Sequence, residues 1–459
     1  MNNLRPHIAV LGGGPCGLYA ARVLSSQGYK VTLIDKGERP GGLATSHRYG
    51  ENWYDMGVHM LHAFDKEIFQ DIKALMAHER LDVELNAKIK WAESFFRYPL
   101  QFQDMLKGIP LFKLSHQVLA LLTTQFKHYL KPGQPKNAEE ALIQLYGKPL
   151  YKFFFEDFTH RYWEIHPKEL SATFITTKMP KLTAVDVLKK GLSKIGIKDR
   201  SKSTESALAQ ETLSYSRTGA EAMPRNLANA CIAAGANIIQ NAEVINVLTS
   251  NNQITKIIYQ HKDQLQELNC DACISTIPIK NLIHAMQPNC STDVSHAASQ
   301  LRYKPLVVYG LLVKKSQCLD ALYVYYRDNL FHRIGEPKNA GLIVTPSDCT
   351  VLIVEMTCEK DDAKWQGDAA IKQRLFKELT AEKICEPHEI LECHISHYEH
   401  GYPVFALGFE SHLETVKQHL NNFINLQTAG RQGAFTYPNM HTAMRMGKQA
   451  AENIIKSFS

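Results

Sequence analysis

No stretch of about 18 uncharged apolar residues occurs in this 459-residue sequence, so a transmembrane helix is not expected. An export pattern is missing too: Met1 to Arg5 run almost directly into the strand-like His7-Ile8-Ala9-Val10-Leu11, without a charged segment, an apolar segment and a cleavage site. A cytoplasmic protein is expected. The ten cysteines lack the density of a disulfide scaffold, which suits a reducing compartment. Their close pair, Cys270 and Cys273, lies in a strand-like run where alternate residues face opposite sides, so burial as small apolar side chains is expected and no metal site is assigned. Charge of one sign is thin: the formal net charge is +6 and the basic residues are scattered. That excludes a nucleic-acid stripe and leaves enough cations for an anionic small molecule. No internal repeat or low-complexity tract is present.

What is present is an ordinary globular composition, 44% apolar and 21% charged, in a chain long enough for two interleaved cores. The first sixty residues alternate as an apolar strand, a glycine-rich turn, an amphipathic helix from about Leu18 to Gln27 and a second strand from Lys30 to Asp35. Gly12, Gly14 and Gly17 have GxGxxG spacing between strand and helix. Gly12 permits the tight turn, Gly14 lets the backbone approach a pyrophosphate, Gly17 lets helix and strand sit close, and the helix N-terminus offers amide donors. Asp35, ending the second strand, accepts hydrogen bonds from a ribose and repels a 2′-phosphate, so the ligand is FAD or NAD rather than NADP.

Beyond this unit, residues 66 to 190 carry helical periodicity and aromatic clusters, with Tyr151-Lys152-Phe153-Phe154-Phe155 the densest. A polar, Ser-rich stretch from Asp199 to Gln210 reads as a surface loop and candidate lid. A helix from Pro224 to Ala234 ends at Gly235; strands follow at Ala236 to Gln240 and Val244 to Leu248, a hairpin turn at Asn251-Asn252, and a strand from Ile254 to Tyr259. The chain returns to the nucleotide domain at Ala272 to Thr276. β-rich runs at Leu306 to Val313 and Thr350 to Met356 indicate a mixed sheet, and a helix from Met440 to Lys456 closes the chain.

Arg39-Pro40-Gly41-Gly42-Leu43-Ala44-Thr45 resembles the second glycine motif of the FAD-dependent amine-oxidase and protoporphyrinogen-oxidase superfamily, which selects FAD over NAD. Gly57-Val58-His59-Met60-Leu61-His62 resembles the Gly-x-His-x-x-His segment of UDP-galactopyranose mutases, the group of closest motif resemblance. Tyr162-Trp163 with Glu169-Leu170-Ser171-Ala172 resembles their substrate-site tryptophan pattern. Gly430 to His441 resembles the glycine-arginine turn and helix that close over the flavin, and Arg217-Thr218-Gly219-Ala220 with Glu243-Val244 resembles the segment meeting adenine.

The resemblance implies an α/β fold: a Rossmann-type FAD-binding domain, parallel sheet with helices on both faces, at residues 1–65, 215–300 and 420–459. Interleaved with it are a mainly helical insertion at 66–214 and a mixed-sheet substrate domain at 301–419. It implies cofactor contacts from Gly12, Gly14, Pro15, Cys16, Gly17, Asp35, Lys36, Gly41, Gly42, Leu43, Ala44, Gly57, His59, Val244, Gly430, Arg431, Asn439, Met440 and His441. It implies catalytic roles for His59, Trp163, Arg431 and Tyr437, with His59 favoured over His62. Two positions depart from the mutase pattern: Met179-Pro180-Lys181-Leu182 has a displaced lysine where an arginine is usual, and Tyr303-Lys304 has lysine for arginine. Lysine gives phosphate a point charge, not a bidentate fork; Arg302 and Arg333 are alternative sources of a guanidinium.

Three readings follow. An FAD-dependent oxidoreductase taking hydride from an organic substrate, such as a nucleotide-sugar or glycan-pathway intermediate, needs only the strong features. A flavin-dependent sugar-ring mutase is favoured by His59, Trp163, Arg431 and Tyr437 and disfavoured by the lysines. A non-catalytic flavin-binding protein is the third. A small-molecule substrate is expected in the first two. Dimerisation is common among relatives, which makes a homodimer a candidate by analogy, and the apolar face at Val118 to Leu122 is a candidate peripheral membrane contact, although such a face is more often core or partner contact.

Overall fold

His7–Leu11 (β1) lies at the centre of five parallel strands. Lys30–Ile34 (β2) and Asn237–Ile239 flank it on one side, Ala272–Ser275 and Leu426–Thr428 on the other. The computed structural model describes residues 5–91, 93–98, 123–124, 133–178 and 212–458. The chain winds outward from β1, then switches to the opposite side, which opens a crevice at the carboxyl ends of the central strands.

Both faces of this sheet are covered, which is why its strands are near-continuous apolar runs. Ile8, Val10, Val31 and Leu33 pack under the helix Pro15–Ser26 (α1) and the helices Ala222–Ala233 and Met440–Ser457. Ala9, Leu11, Ile34 and Cys273 face the helices Ile279–Ala285, Thr292–Gln300 and Phe409–Leu420 and a four-stranded sheet containing Ala242–Ser250 and Gln253–His261. The hairpin turn falls at Asn251 and Asn252, both left-handed with φ of 49° and 56°, a conformation that asparagine tolerates. Cys270 and Cys273 are buried free thiols, and burial pushes Cys270 up to about 12.

The closing helix buries His441, Ala443, Met444, Gly447, Ala450, Ala451 and Ile454, a helical stripe laid against α1. At their contact a Cβ on Gly447 would stand 2.1 Å from the Cys16 carbonyl oxygen. Since the obstacle is backbone, Gly447→Ala is expected to destabilise the protein by about 1–3 kcal/mol or more through overpacking, despite alanine's better helix propensity. A thermal melt of the variant checks it.

The second core lies on a seven-stranded sheet ordered Ile390–Pro403, Tyr303–Val313, Thr350–Thr357, Arg333–Gly335, Tyr323–Tyr326, Ala87–Trp91 and Ser94–Tyr98. Thr350–Thr357 is buried throughout, as befits a strand covered on both faces. Where residues 66 to 190 are expected to be mainly helical, Lys66–Met76, Ala138–Tyr146 and Glu156–Trp163 are α-helices, but Arg80–Glu84, Ala87–Trp91 and Ser94–Tyr98 are strands. These strands find their partners far away: Arg80–Glu84 pairs with Thr212–Ser216 and Ala87–Lys90 with Tyr323–Tyr326. The alternation in Ala87-Lys88-Ile89-Lys90-Trp91 is the signal that marks them. The segments Val118 to Leu122, Met179 to Leu182 and Asp199 to Gln210 lie outside the described residues. Among the described residues no helix is long and apolar enough to cross a membrane.

Candidate active site

The glycine turn is fixed by its own backbone. Gly12 N–H donates to the Ile34 carbonyl at 2.8 Å, and Gly13 N–H donates to the Asp35 carboxylate. Gly37 N–H gives Asp35 a second bond at 2.7 Å. Burial raises the Asp35 pKa, and these amides oppose that shift. Asp35 therefore braces the turn as well as lining the cavity, and its remaining lone pairs stay available for hydroxyl donors. A Cβ on Gly17 would fall 1.9 Å from the Gly12 carbonyl oxygen, so this position holds helix and turn together. At Gly14 nothing lies within 4 Å of the equivalent point, which opens into the cavity. The second glycine loop docks on the first through Gly41 N–H to the Gly13 carbonyl at 2.7 Å.

Together these loops wall a cavity of about 490 Å³. Of the residues expected at the site, Gly12, Gly14, Pro15, Cys16, Asp35, Lys36, Gly42, Leu43, Ala44, His59, Val244, Gly430, Arg431, Asn439 and Met440 line it. Gly17, Gly41, Gly57, Trp163, Tyr437 and His441 stand behind that wall. Gly41 and Gly57 supply turns with φ of 125° and 131°. His441, in the first turn of the Met440–Ser457 helix, is buried next to Phe64. Trp163 is 3% exposed, within 5.2 Å of the Tyr162 and Phe174 rings. Tyr437 packs on Tyr402 at 5.1 Å, and burial raises the phenol pKa values of Tyr437 and Tyr162 well above normal.

Arg431 reaches into this group: its guanidinium lies 4.9 Å from the Tyr437 ring and 5.5 Å from Tyr402, and donates to the Pro438 carbonyl at 3.0 Å. Beside it, His59 is half-buried with Nδ1 enclosed and without a hydrogen-bond partner in the protein. Burial, reinforced by Arg431, lowers the His59 pKa to about 4, so the imidazole is neutral at physiological pH. Its loop is anchored by Val58 N–H donating to the Glu355 carboxylate at 3.0 Å. Glu355 is fully buried and takes a bidentate pair from Arg333, Nε at 2.8 Å and Nη2 at 2.6 Å. Arg333 and His332 overcome the desolvation of this carboxyl and hold it well below the usual range.

Lys304 does not face the cavity. It is 1% exposed, and its ammonium lies 2.5 Å from both Glu164 and Glu359. Arg302 is exposed just ahead of Tyr303–Val313, the strand that carries Lys304. Several cavity residues were not singled out by sequence: Thr276, whose hydroxyl donates to the Leu11 carbonyl at 2.9 Å; Gln432, whose buried Oε1 has no partner in the protein; and His400, lowered to about 4 by burial. Thr276 follows directly on a legible strand, but the His397 to His400 segment carries no motif and reaches the cavity only through sheet pairing.

These histidines set a pH dependence. A group whose folded pKa lies near 4 and whose unfolded value is 6.5 binds fewer protons when folded, so its contribution is intact above 6.5 and lost as pH falls toward 4. Melting temperature is expected to fall through that window, and a smaller slope is expected in His59→Asn and His400→Asn.

A crevice at the ends of central parallel strands, a glycine turn, a carboxylate on the next strand and an opposing helix N-terminus define a dinucleotide-binding fold. The chain belongs to the flavin containing amine oxidoreductase family, whose sequence profile matches residues 15–455. It is an FAD-dependent enzyme. The residues present fit FAD: Gly14 leaves open the space a Cβ would fill, and His59 Nδ1 and Gln432 Oε1 await partners. A probable UDP-galactopyranose mutase of Klebsiella pneumoniae is 24% identical over 182 residues, 38% of this chain and 45% of that protein. The match thus spans less than half the length of that relative. An L-amino-acid oxidase of Daboia russelii is 49% identical over 49 residues, 10% of each chain. In fold, the chain resembles a reduced UDP-galactopyranose mutase with a TM-score of 0.81 at 19% identity, covering 99% of this chain and 94% of that one. A putrescine oxidase variant gives 0.66 at 15% identity over 99% of both chains.

Proposed function

We propose that this protein is an FAD-dependent oxidoreductase that takes a hydride from a polar organic substrate carrying an anionic group, of the nucleotide-sugar or glycan-intermediate class. The observation that carries this reading is the state of the cations. Lys304, which stands where mutases place an arginine, is bound between two carboxylates, and Arg333 is neutralised by Glu355. Two guanidiniums then remain among the described cavity residues, Arg39 in the second glycine loop and Arg431 braced by tyrosines beside His59, and Arg431 is the one assigned to a substrate anion.

Bound FAD supplies the hydride acceptor. His59, kept neutral, takes the proton that a substrate hydroxyl or amine releases as its hydride leaves. The N-terminus of Met440–Ser457 directs backbone amides toward the cavity and stabilises negative charge developing there. Trp163, Tyr162, Tyr402 and Tyr437 exclude water on the Arg431 side.

A second reading, sugar-ring mutation without net redox, is favoured by the full-length likeness to the reduced mutase. The test is to incubate the chemically reduced, FAD-loaded protein anaerobically with UDP-galactopyranose and UDP-galactofuranose and follow interconversion by chromatography. In parallel, the oxidised protein is screened for flavin bleaching by nucleotide sugars. Bleaching without interconversion supports the oxidoreductase; interconversion that needs reduced flavin replaces it with the mutase. In the activity that emerges, Arg431→Ala is expected to weaken substrate binding or turnover with the fold intact, and unchanged steady-state kinetics would remove Arg431 from the substrate site.

A further inference from the structure

Away from the cavity, an imidazole and a thioether from two different elements meet at one thiol sulfur. Cys290, in the loop before the helix Thr292–Gln300, places Sγ 3.2 Å from His419 Nε2 and 3.9 Å from Met286 Sδ. Met286 sits in a short parallel pairing with Val247, and His419 on the last turn of the helix Phe409–Leu420. Sγ also lies 3.7 Å from the Ile283 carbonyl, a long contact for a thiol donor. Met286 is buried, whereas Cys290 and His419 are half-exposed, so a solvated ion has a route in.

We propose that Cys290, His419 and Met286 form a binding site for a thiophilic monovalent cation of the Cu(I) type. In the apo protein the Cys290–His419 spacing is that of a thiol–imidazole hydrogen bond, a few tenths of an ångström short of what a bridging ion would set. Metal–sulfur and metal–imidazole bonds of about 2.3 and 2.0 Å at a tetrahedral angle separate S and N by about 3.5 Å. Opening the Cys290–His419 contact from 3.2 Å to that distance needs only side-chain adjustment. The donor set picks the metal class: thiolate and thioether together select Cu(I), whereas Zn(II) seldom uses a thioether. Binding replaces the Cys290 thiol proton, which passes to solvent, one proton per ion. No group of three His, Cys, Asp or Glu side chains gathers among the described residues, which sets this donor set apart from a zinc cluster.

The test is an anaerobic titration of the FAD-loaded full chain with Cu(I) buffered by bicinchoninate. Wild type is expected to withdraw one equivalent and release one proton. Cys290→Ser should lose affinity by more than about 100-fold, and His419→Gln and Met286→Leu by roughly 10–100-fold, comparable to the loss of a metal's supporting partners. Flavin spectra of all three should match wild type, which separates loss of the site from misfolding. Cys318→Ser and Cys393→Ser, at the other two half-exposed cysteines, should bind as wild type does. Wild-type affinity in Cys290→Ser, or no effect of both His419→Gln and Met286→Leu, would overturn the site.

Discussion

Gly14→Val is expected to give protein that folds normally and is colourless. The backbone at Gly14 has φ −72° and ψ 175°, an extended conformation that valine adopts without strain, and its Cβ would meet no protein atom within 4 Å. The added branches would instead occupy the space between the two glycine loops that a pyrophosphate needs. Melting of the flavin-free variant should stay within about 0.5 kcal/mol of flavin-free wild type. Only wild type should gain stability on adding FAD, because stabilisation by ligand requires binding to the native state. Gly17→Ala offers the contrast: its Cβ collides with backbone, so loss of fold rather than loss of colour is expected. A yellow Gly14→Val protein would move the cofactor elsewhere.

The second large effect is expected at Glu355. Replacing it by Ala would orphan the Arg333 guanidinium, the Val58 amide and the contact to His332. Breaking a buried pair from one side costs about 3–5 kcal/mol, a large share of the stability of most domains. Replacing both members, Arg333→Met with Glu355→Leu, should recover much of this, because no unpaired charge remains buried. Urea denaturation of the single and double variants distinguishes the two outcomes. The pair also has a signed pH dependence: with the Glu355 carboxyl depressed, its contribution is intact above the ordinary glutamate range and is lost as pH falls below that range. If Glu355→Ala melts like wild type, the pair carries no net stability.

These two predictions differ in how far sequence alone reaches them. Gly12, Gly14, Gly17 and Asp35 are local: one strand, one turn and one helix fix their geometry, and their spacing is readable without tertiary structure. The Met440–Ser457 helix and the Asn251-Asn252 turn are legible for the same reason. Glu355 is different. It lies in a buried β-run that looks like core, and its meaning comes from Arg333, on a neighbouring strand, and Val58, nearly three hundred residues earlier in the sequence. Lys304 shows the converse. As a residue in a motif it reads as a weakened anion contact, and only its burial between Glu164 and Glu359 shows it to be part of the scaffold. Trp163 and Tyr437 fall between: their aromatic character is plain in the sequence, but whether they wall the cavity or back it depends on how Tyr402 inserts beside them.

The strand order of the nucleotide sheet has a consequence for how this protein is made. β1 and its glycine turn are made more than 400 residues before Leu426–Thr428, Gly430 and the helix Met440–Ser457 that face them across the crevice. A nascent chain therefore holds half a cradle until the stretch between them has been added. Completion of the FAD site must wait for that stretch, and the pairing of segments so distant in sequence is a long-range closure of the kind that slows folding.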